Sequence, residues 1–154
     1  MRVAISGGFD PLHRGHMDYI QEAAKLGDVI IILNSDDWLL RKKGYVFMPF
    51  EERAYILSKI VGVKEVVSVD DRDDTVCEAL IRIKPDAFAK GGDRTPHNTP
   101  EQEVCGWMGI EMIWDVGGGK TQASSCLVRN ACNEILDKEL FKEKTTETLY
   151  EHTK

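Results

Sequence analysis

The feature that most constrains the fold is "VIIIL" at Val29 to Leu33, a run without a polar residue. A strand with one face in water alternates apolar and polar side chains, so an unbroken apolar run calls for cover on both faces. Four more short β-rich runs follow or precede it: Val3 to Ser6, Glu65 to Val69, Asp86 to Lys90 and Glu111 to Val116. Helical patterns lie between them. Gly15 to Leu26 has Gly27 as its C-cap, and Phe50 to Val61 follows Pro49. Thr75 to Ile83 has Asp73 or Asp74 as cap, Pro100 to Met108 has Thr99 and Gln102 as a capping box, and Ser124 to Leu136 closes the series. This alternation predicts an α/β domain, a Rossmann-like doubly wound sheet of about five parallel strands with helices on both faces. Ligands of such sheets bind beyond the carboxyl ends of the strands, at the switch point. Residues 1–136 are assigned to that domain, and 137–154 to a charged C-terminal extension.

Charge narrows the partners. Twenty basic and 26 acidic residues among 154 give a net charge of −6, which argues against nucleic acid and anionic membranes as partners. No apolar run approaches the ~20 residues of a membrane span, and "MRVAISGG" is too short for a signal peptide. The expectation is a cytoplasmic protein. Cys77, Cys105, Cys126 and Cys132 form no C-x-x-C pair, so they read as buried reduced thiols rather than a zinc site or disulfide framework.

The segments after the strands carry the chemistry. After the first comes "SGGFDPLHRGH". Gly7 and Gly8 let backbone amides approach a ligand, and the following helix points its N-terminus at the same place, which makes an anion site. His13 and His16 stand three residues apart at the helix start, so both rings face one direction, and Gly15 between them leaves room for a phosphate. Two imidazoles there can donate N–H bonds to phosphoryl oxygens. A metal pair with Asp10 as third ligand is the competing reading, but it leaves the glycines unexplained.

"GGFDPLHRGH" resembles the G-x-F-D-x-x-H-x-G-H signature of the cytidylyltransferase-like nucleotidyltransferase superfamily. "LNSDDWLLRKKG", "MPFEERAYIL", "IKPDAFAKGGDRTPHNTPE" and "GGGKTQASSCLV" are similar to further segments of that family, and the resemblance spans residues 1–136. It is nearest to the heptose-1-phosphate adenylyltransferase domain and also similar to glycerol-3-phosphate cytidylyltransferases. "VGVKEV" and "KGGDR" depart from the cytidylyltransferase pattern, whereas "ASS" departs from the S-T-T turn.

The resemblance implies attack by a substrate phosphate on the α-phosphorus of a nucleoside triphosphate, ATP favoured over CTP, with pyrophosphate released. His13, His16 and Lys43 would be catalytic. Gly7, Gly8 and Phe9 would form the phosphate cradle, with Asp10 orienting its neighbours. Lys42 and Lys43 lie in a loop beside Arg41, and the sequence does not choose between them. Lys90, Gly91, Gly92 and Asp93 would line the nucleotide pocket, with Asp93 on the ribose. Lys120, Ser124 and Ser125 would hold the β- and γ-phosphates at the last helix start. Arg53 and Arg129 would touch substrate or phosphate, or else face solvent. The partners are then a nucleoside triphosphate and a phosphorylated sugar or polyol. Mg²⁺ is implied as cofactor without a protein ligand set, and homodimers are common in the family. "GGGKT" is not a phosphate-binding P-loop, since it lacks the spacing and follows the last strand. A dinucleotide-binding domain is excluded in the same way, because G-x-G-x-x-G is missing after the first strand.

Overall fold

The computed structural model describes residues 1–120 and 122–152, without the side chains of Asn98 and of residues 144–152. The described elements are β1 (Arg2–Gly7), α1 (Arg14–Ala24), β2 (Asp28–Leu33), α2 (Asp36–Lys43), α3 (Phe50–Ser58), β3 (Val63–Val67), α4 (Cys77–Ile83), β4 (Ala87–Gly91), α5 (Gln102–Met108), β5 (Glu111–Val116) and α6 (Ser124–His152), with a 3-10 turn at Pro96–Asn98. The strands form one parallel sheet in the order β3-β2-β1-β4-β5. The chain moves outward from β1 to β3 and then returns to the other side of β1 with β4. The switch point is therefore the gap between β1 and β4, where the loops after these strands diverge and leave a crevice.

Alternation along each strand sorts the core into two layers. Val3, Ile5, Val29, Ile31, Leu33 and Ala89 face α1 and α3, where Ile20, Ala23 and Leu57 meet them. Ala4, Ile32 and Phe88 face α4 and α5, where Ala79, Leu80 and Cys105 complete the layer. Residues 29–33 are all buried, as cover on both faces demands. Each such Ile, Leu or Val side chain contributes roughly 1.5–3 kcal/mol by leaving water.

The structure corrects several local readings. Lys42 and Lys43 are not in a loop but in the last turn of α2, which Ser35 caps through its hydroxyl (Trp38 N to Oγ, 3.0 Å) and Gly44 ends in the left-handed region at φ 81°. Helix α4 starts two residues later than expected, and neither Asp73 nor Asp74 caps it; Asp73 instead takes the N–H and hydroxyl of Thr75. Helix α5 has Glu101 as N-cap residue, and Thr99 Oγ1 donates to the Thr95 carbonyl instead of capping. Gly27 is not the C-cap of α1, which is Lys25. Its bare Cα is needed because a Cβ would lie 2.2 Å from the Met1 carbonyl oxygen. Of the four thiols only Cys105 is buried; Cys77 is half-buried, and Cys126 and Cys132 are exposed on α6. Helix α6 carries residues 137–152 without a break.

Candidate functional site

A cavity of about 330 Å³ opens over the carboxyl ends of β1, β4 and β5. Gly7, Phe9, His13, His16 and Lys43 line one side of it. Lys90, Gly91, Gly92 and Asp93 come from the end of β4, and Lys120, Ser124 and Ser125 from the start of α6. The fold thus gathers twelve of the expected residues around one space.

The two histidines build the start of α1 as well as the cavity wall. His13 is the N-cap residue, and its Nδ1 accepts the Gly15 N–H at 3.0 Å. His16, at N3, returns the bond: its Nδ1 accepts the His13 N–H at 3.2 Å. The arrangement is a capping box made of two imidazoles. A Cβ on Gly15 would sit 3.0 Å from His13 Cε1, so any side chain there would crowd that imidazole. The rings stack at 3.8 Å between centroids with 21° between planes.

This geometry sets the protonation state. A nitrogen that accepts a backbone N–H carries no proton, so a neutral ring holds its hydrogen on Nε2. Burial, then His13 and the Lys43 and Lys120 ammoniums, hold His16 down to about 3. Burial, Lys120 and Lys43 lower His13 as well. Both rings therefore stand at neutral pH as uncharged Nε2–H donors.

Behind the histidines, three of the expected site residues act as fasteners. Arg53 is fully buried and lies off the cavity, which corrects its reading as a phosphate, substrate or surface group. Its Nε donates to Met48 O (2.8 Å), Nη1 to Gly8 O (2.9 Å) and Asn34 O (2.8 Å), and Nη2 to Asp36 Oδ1 (2.6 Å). One guanidinium so ties the loops after β1 and β2 together. Asp10 is buried, and its carboxylate accepts the Phe47 and Met48 N–H groups at 2.7 Å each, which removes it as a metal ligand. Gly8 is not part of the cradle surface; its missing side chain admits Leu39, whose Cδ2 would meet a Cβ at 2.8 Å.

The basic run of α2 divides by position. Arg41 and Lys42 pair with Asp74, at 3.2 and 3.5 Å, and Arg41 also donates to the Asp71 carbonyl. Lys43 alone of the three lines the cavity, with Nζ 3.4 Å from the Asp10 carbonyl, and burial lowers its pKa. Helical geometry thus puts Lys43, and not Lys42, on the cavity. Arg129 is exposed on α6 and lies outside the lining. The Ser124 hydroxyl donates to the Pro11 carbonyl at 2.8 Å and clamps α6 to the β1 loop.

The far wall is two interlocked glycine turns. A Cβ on Gly92 would lie 2.3 Å from Gly118 O and 2.8 Å from Asp115 Oδ1. One on Gly117, at φ 87°, would meet the Tyr19 backbone at 2.9 Å. The turns consequently pack backbone on backbone at Gly92 and Gly118, while Gly117 packs on the backbone of Tyr19. Among the described residues no group of three or more His, Cys, Asp or Glu side chains is arranged to hold a metal ion. No described helix is long and apolar enough to cross a membrane.

Several lining residues were not singled out from sequence: Asn34, Trp38, Asp74, Val76, Glu101 and Tyr19. Tyr19 donates its hydroxyl to the Ala89 carbonyl, and burial pushes its pKa up. For Trp38 a signal existed, since "SDDWLLRKKG" has a capping serine, acidic first turn, basic last turn and terminal glycine.

Residues 4–131 match the model of the family described as Cytidylyltransferase-like. The chain is 36% identical over 141 residues to the "Bifunctional protein HldE" of Syntrophotalea carbinolica, which covers 88% of this chain and 27% of that protein. It is 38% identical over 119 residues to the protein of the same name from Citrobacter koseri, covering 75% of this chain and 23% of that one. The chain thus spans about a quarter of the length of the curated relatives it matches. The solved structure of a lipopolysaccharide core biosynthesis protein from Thermoplasma volcanium superposes with a TM-score of 0.62 at 24% identity, over 75% of this chain and 95% of that one. That likeness concerns the fold. Taken with the paired histidines, the lysine of α2 and the glycine turns around one cavity, these matches lead to one conclusion: the chain belongs to the cytidylyltransferase-like family, a family of nucleotidyltransferase enzymes.

Proposed function

We propose that the chain transfers a nucleotidyl group, adenylyl in preference to cytidylyl, from a nucleoside triphosphate to a sugar or polyol phosphate. The observation that carries this reading is the stacked pair His13 and His16 at the start of α1, facing a cavity also lined by Lys43 and Lys120. Neutral Nε2–H donors and ammonium groups suit charge that develops on phosphoryl oxygens. An oxygen of the acceptor phosphate attacks the α-phosphorus, the bond to the β-phosphate oxygen breaks, and pyrophosphate leaves. No covalent enzyme intermediate is needed. His13 and His16 donate to the transferring phosphoryl group. Lys43 and Lys120 offset charge on the leaving pyrophosphate, and the first amides of α6, near Ser124 and Ser125, receive its outer oxygens. Asp93, beside the β4 turn, takes the ribose.

The Mg²⁺ that triphosphate chemistry implies does not fit a protein-held site among the described residues, since the groups around the phosphate end are cations and the Asp10 carboxylate is engaged. Such an ion arrives with the triphosphate. The test is pyrophosphate release with ATP or CTP, each crossed with heptose 1-phosphate, glycerol 3-phosphate and other sugar phosphates. Turnover with ATP and a sugar phosphate supports the reading. Turnover with CTP and glycerol 3-phosphate would establish the alternative, a cytidylyltransferase acting on an alcohol phosphate. Absence of any triphosphate binding would overturn both.

A further inference from the structure

The cavity has a second flank that the triphosphate does not need. His13, His16, Lys120, Ser124 and Ser125 stand on the α1 and α6 side, and the glycine turns of residues 91–94 and 115–119 close the β4–β5 end. What is left lies toward α2, α4 and α5: Trp38, Asn34, Asp74, Val76, Lys90 and Glu101. Two of these are buried charges. Glu101 is 6% exposed and Lys90 7%. The Glu101 carboxylate accepts the buried Val76 N–H through Oε1 at 3.1 Å. The Lys90 ammonium has one long hydrogen bond, 3.5 Å to Ser6 Oγ, and lies 4.7 Å from the centre of the Phe88 ring. Burial lowers its pKa, and Glu101 is the group that most opposes this. Charges so far out of water are costly unless hydrogen-bonded, and both of these border the cavity.

Trp38 completes the set. Gly8 lets α2 approach so closely that a Cβ there would lie 3.2 Å from the indole, which lines the cavity. An aromatic ring beside a buried carboxylate suits a ligand with one apolar C–H face and several hydroxyl donors. A cyclic sugar has both; a three-carbon polyol has hydroxyls but no ring face.

We propose that Trp38 and Glu101 form the acceptor subsite and select a cyclic sugar phosphate, the indole packing on the ring and the carboxylate accepting a ring hydroxyl. This rests on the nucleotidyltransferase reading and adds to it the residues that choose the acceptor. Lys90, which the sequence placed in the nucleotide pocket, stands beside Glu101 and faces the anionic end of the same ligand instead. Glu101 is thereby a specificity residue: it discriminates between acceptors and leaves the triphosphate alone.

The test is equilibrium binding to the full chain in the presence of a saturating non-hydrolysable ATP analogue. Glucose 1-phosphate, mannose 1-phosphate and a heptose 1-phosphate are the cyclic probes, with glycerol 3-phosphate as the acyclic one. Tryptophan fluorescence and calorimetry are the readouts. At least one cyclic probe should bind and change the fluorescence, and the change should vanish in W38F. E101Q keeps an amide oxygen for the Val76 N–H, so the fold stands, which circular dichroism checks. It should weaken the cyclic probe by about 10- to 100-fold, the usual effect of losing a charged hydrogen-bond acceptor. The affinity of the ATP analogue should stay within about twofold, an allowance far below that loss. The proposal is overturned if glycerol 3-phosphate binds as tightly as the sugars, if no cyclic probe binds, or if E101Q weakens the ATP analogue as much as the sugar. In those cases an analogue that still binds wild type leaves the nucleotidyltransferase reading standing. An analogue that fails to bind wild type removes both.

Discussion

Because each imidazole of the capping box accepts a backbone N–H, replacing His13 or His16 alters the helix start as well as the cavity. The two effects can be separated. In His16→Ala, turnover should fall by at least ~10², the scale of losing one preorganised donor, and the lost cap should cost about 1 kcal/mol. In His16→Gln the amide can still reach back to the His13 N–H, as a capping-box glutamine does. That variant should keep wild-type stability in denaturant melts and show the same loss in pyrophosphate release. A second expectation concerns pH. With His16 held down to about 3 against an ordinary value of 6.5, the unfolded chain binds more protons than the folded one between these values. Stability of the free protein should therefore be fully present above pH 6.5 and decline as pH falls toward 3, with a smaller decline in His16→Gln. Nitrogen NMR of the free protein should show an unprotonated Nδ1 and a protonated Nε2 on both rings at pH 7. Lys43→Met should weaken triphosphate binding by about 10-fold or more, as loss of a charged hydrogen-bond donor does, whereas Lys42→Met, which breaks only a half-exposed pair with Asp74, should not.

At the scale of elements, the loops depend on a few buried ties. Arg53 joins α3 to the loops after β1 and β2, and Arg53→Met leaves the carbonyls of Gly8, Asn34 and Met48 without its hydrogen bonds. The expected cost is about 3 kcal/mol or more, read from the denaturation midpoint. Gly92→Ala drives a Cβ into the Gly118 carbonyl and should lower both melting temperature and triphosphate affinity; Gly119→Ala, with open space around it, should leave the melting temperature unchanged. The order of elements was legible because strand and helix periods differ and the "VIIIL" run permits one kind of environment. The HxGH turn was legible because chemistry and local geometry coincide within four residues. Arg53 was not, since a lone arginine after two glutamates has the same local pattern on a surface helix and in a buried knot. Trp38 and Glu101 were missed for a related reason. They reach the cavity through the packing of α2 on Gly8 and the tie from Glu101 to Val76, contacts between residues distant in sequence. The caps of α4 and α5 failed because several Asp, Thr and Glu residues competed for each start: local bonds engage Asp73 and Thr99 elsewhere, and one tertiary bond joins Glu101 to the Val76 N–H.

For the whole molecule, ligand occupancy should be visible as stability. A triphosphate that binds only the folded chain adds about 2.7 kcal/mol at 100 times its dissociation constant. The interlock of Gly92 with Gly118 gives that linkage a particular meaning. The wall of the cavity exists only when the turn after β4 and the turn after β5 are both in place, although the histidines belong to the first strand and helix. A chain that has folded its N-terminal strands but not yet added β5 has its reactive side chains and no binding site. Substrate consequently cannot stabilise a half-built domain or rescue one in which β5 has detached. Its protection should appear in hydrogen exchange as slower opening of β4 and β5 together, never of one without the other. On the proposed function, affinity for the triphosphate would measure whether the last strand has arrived.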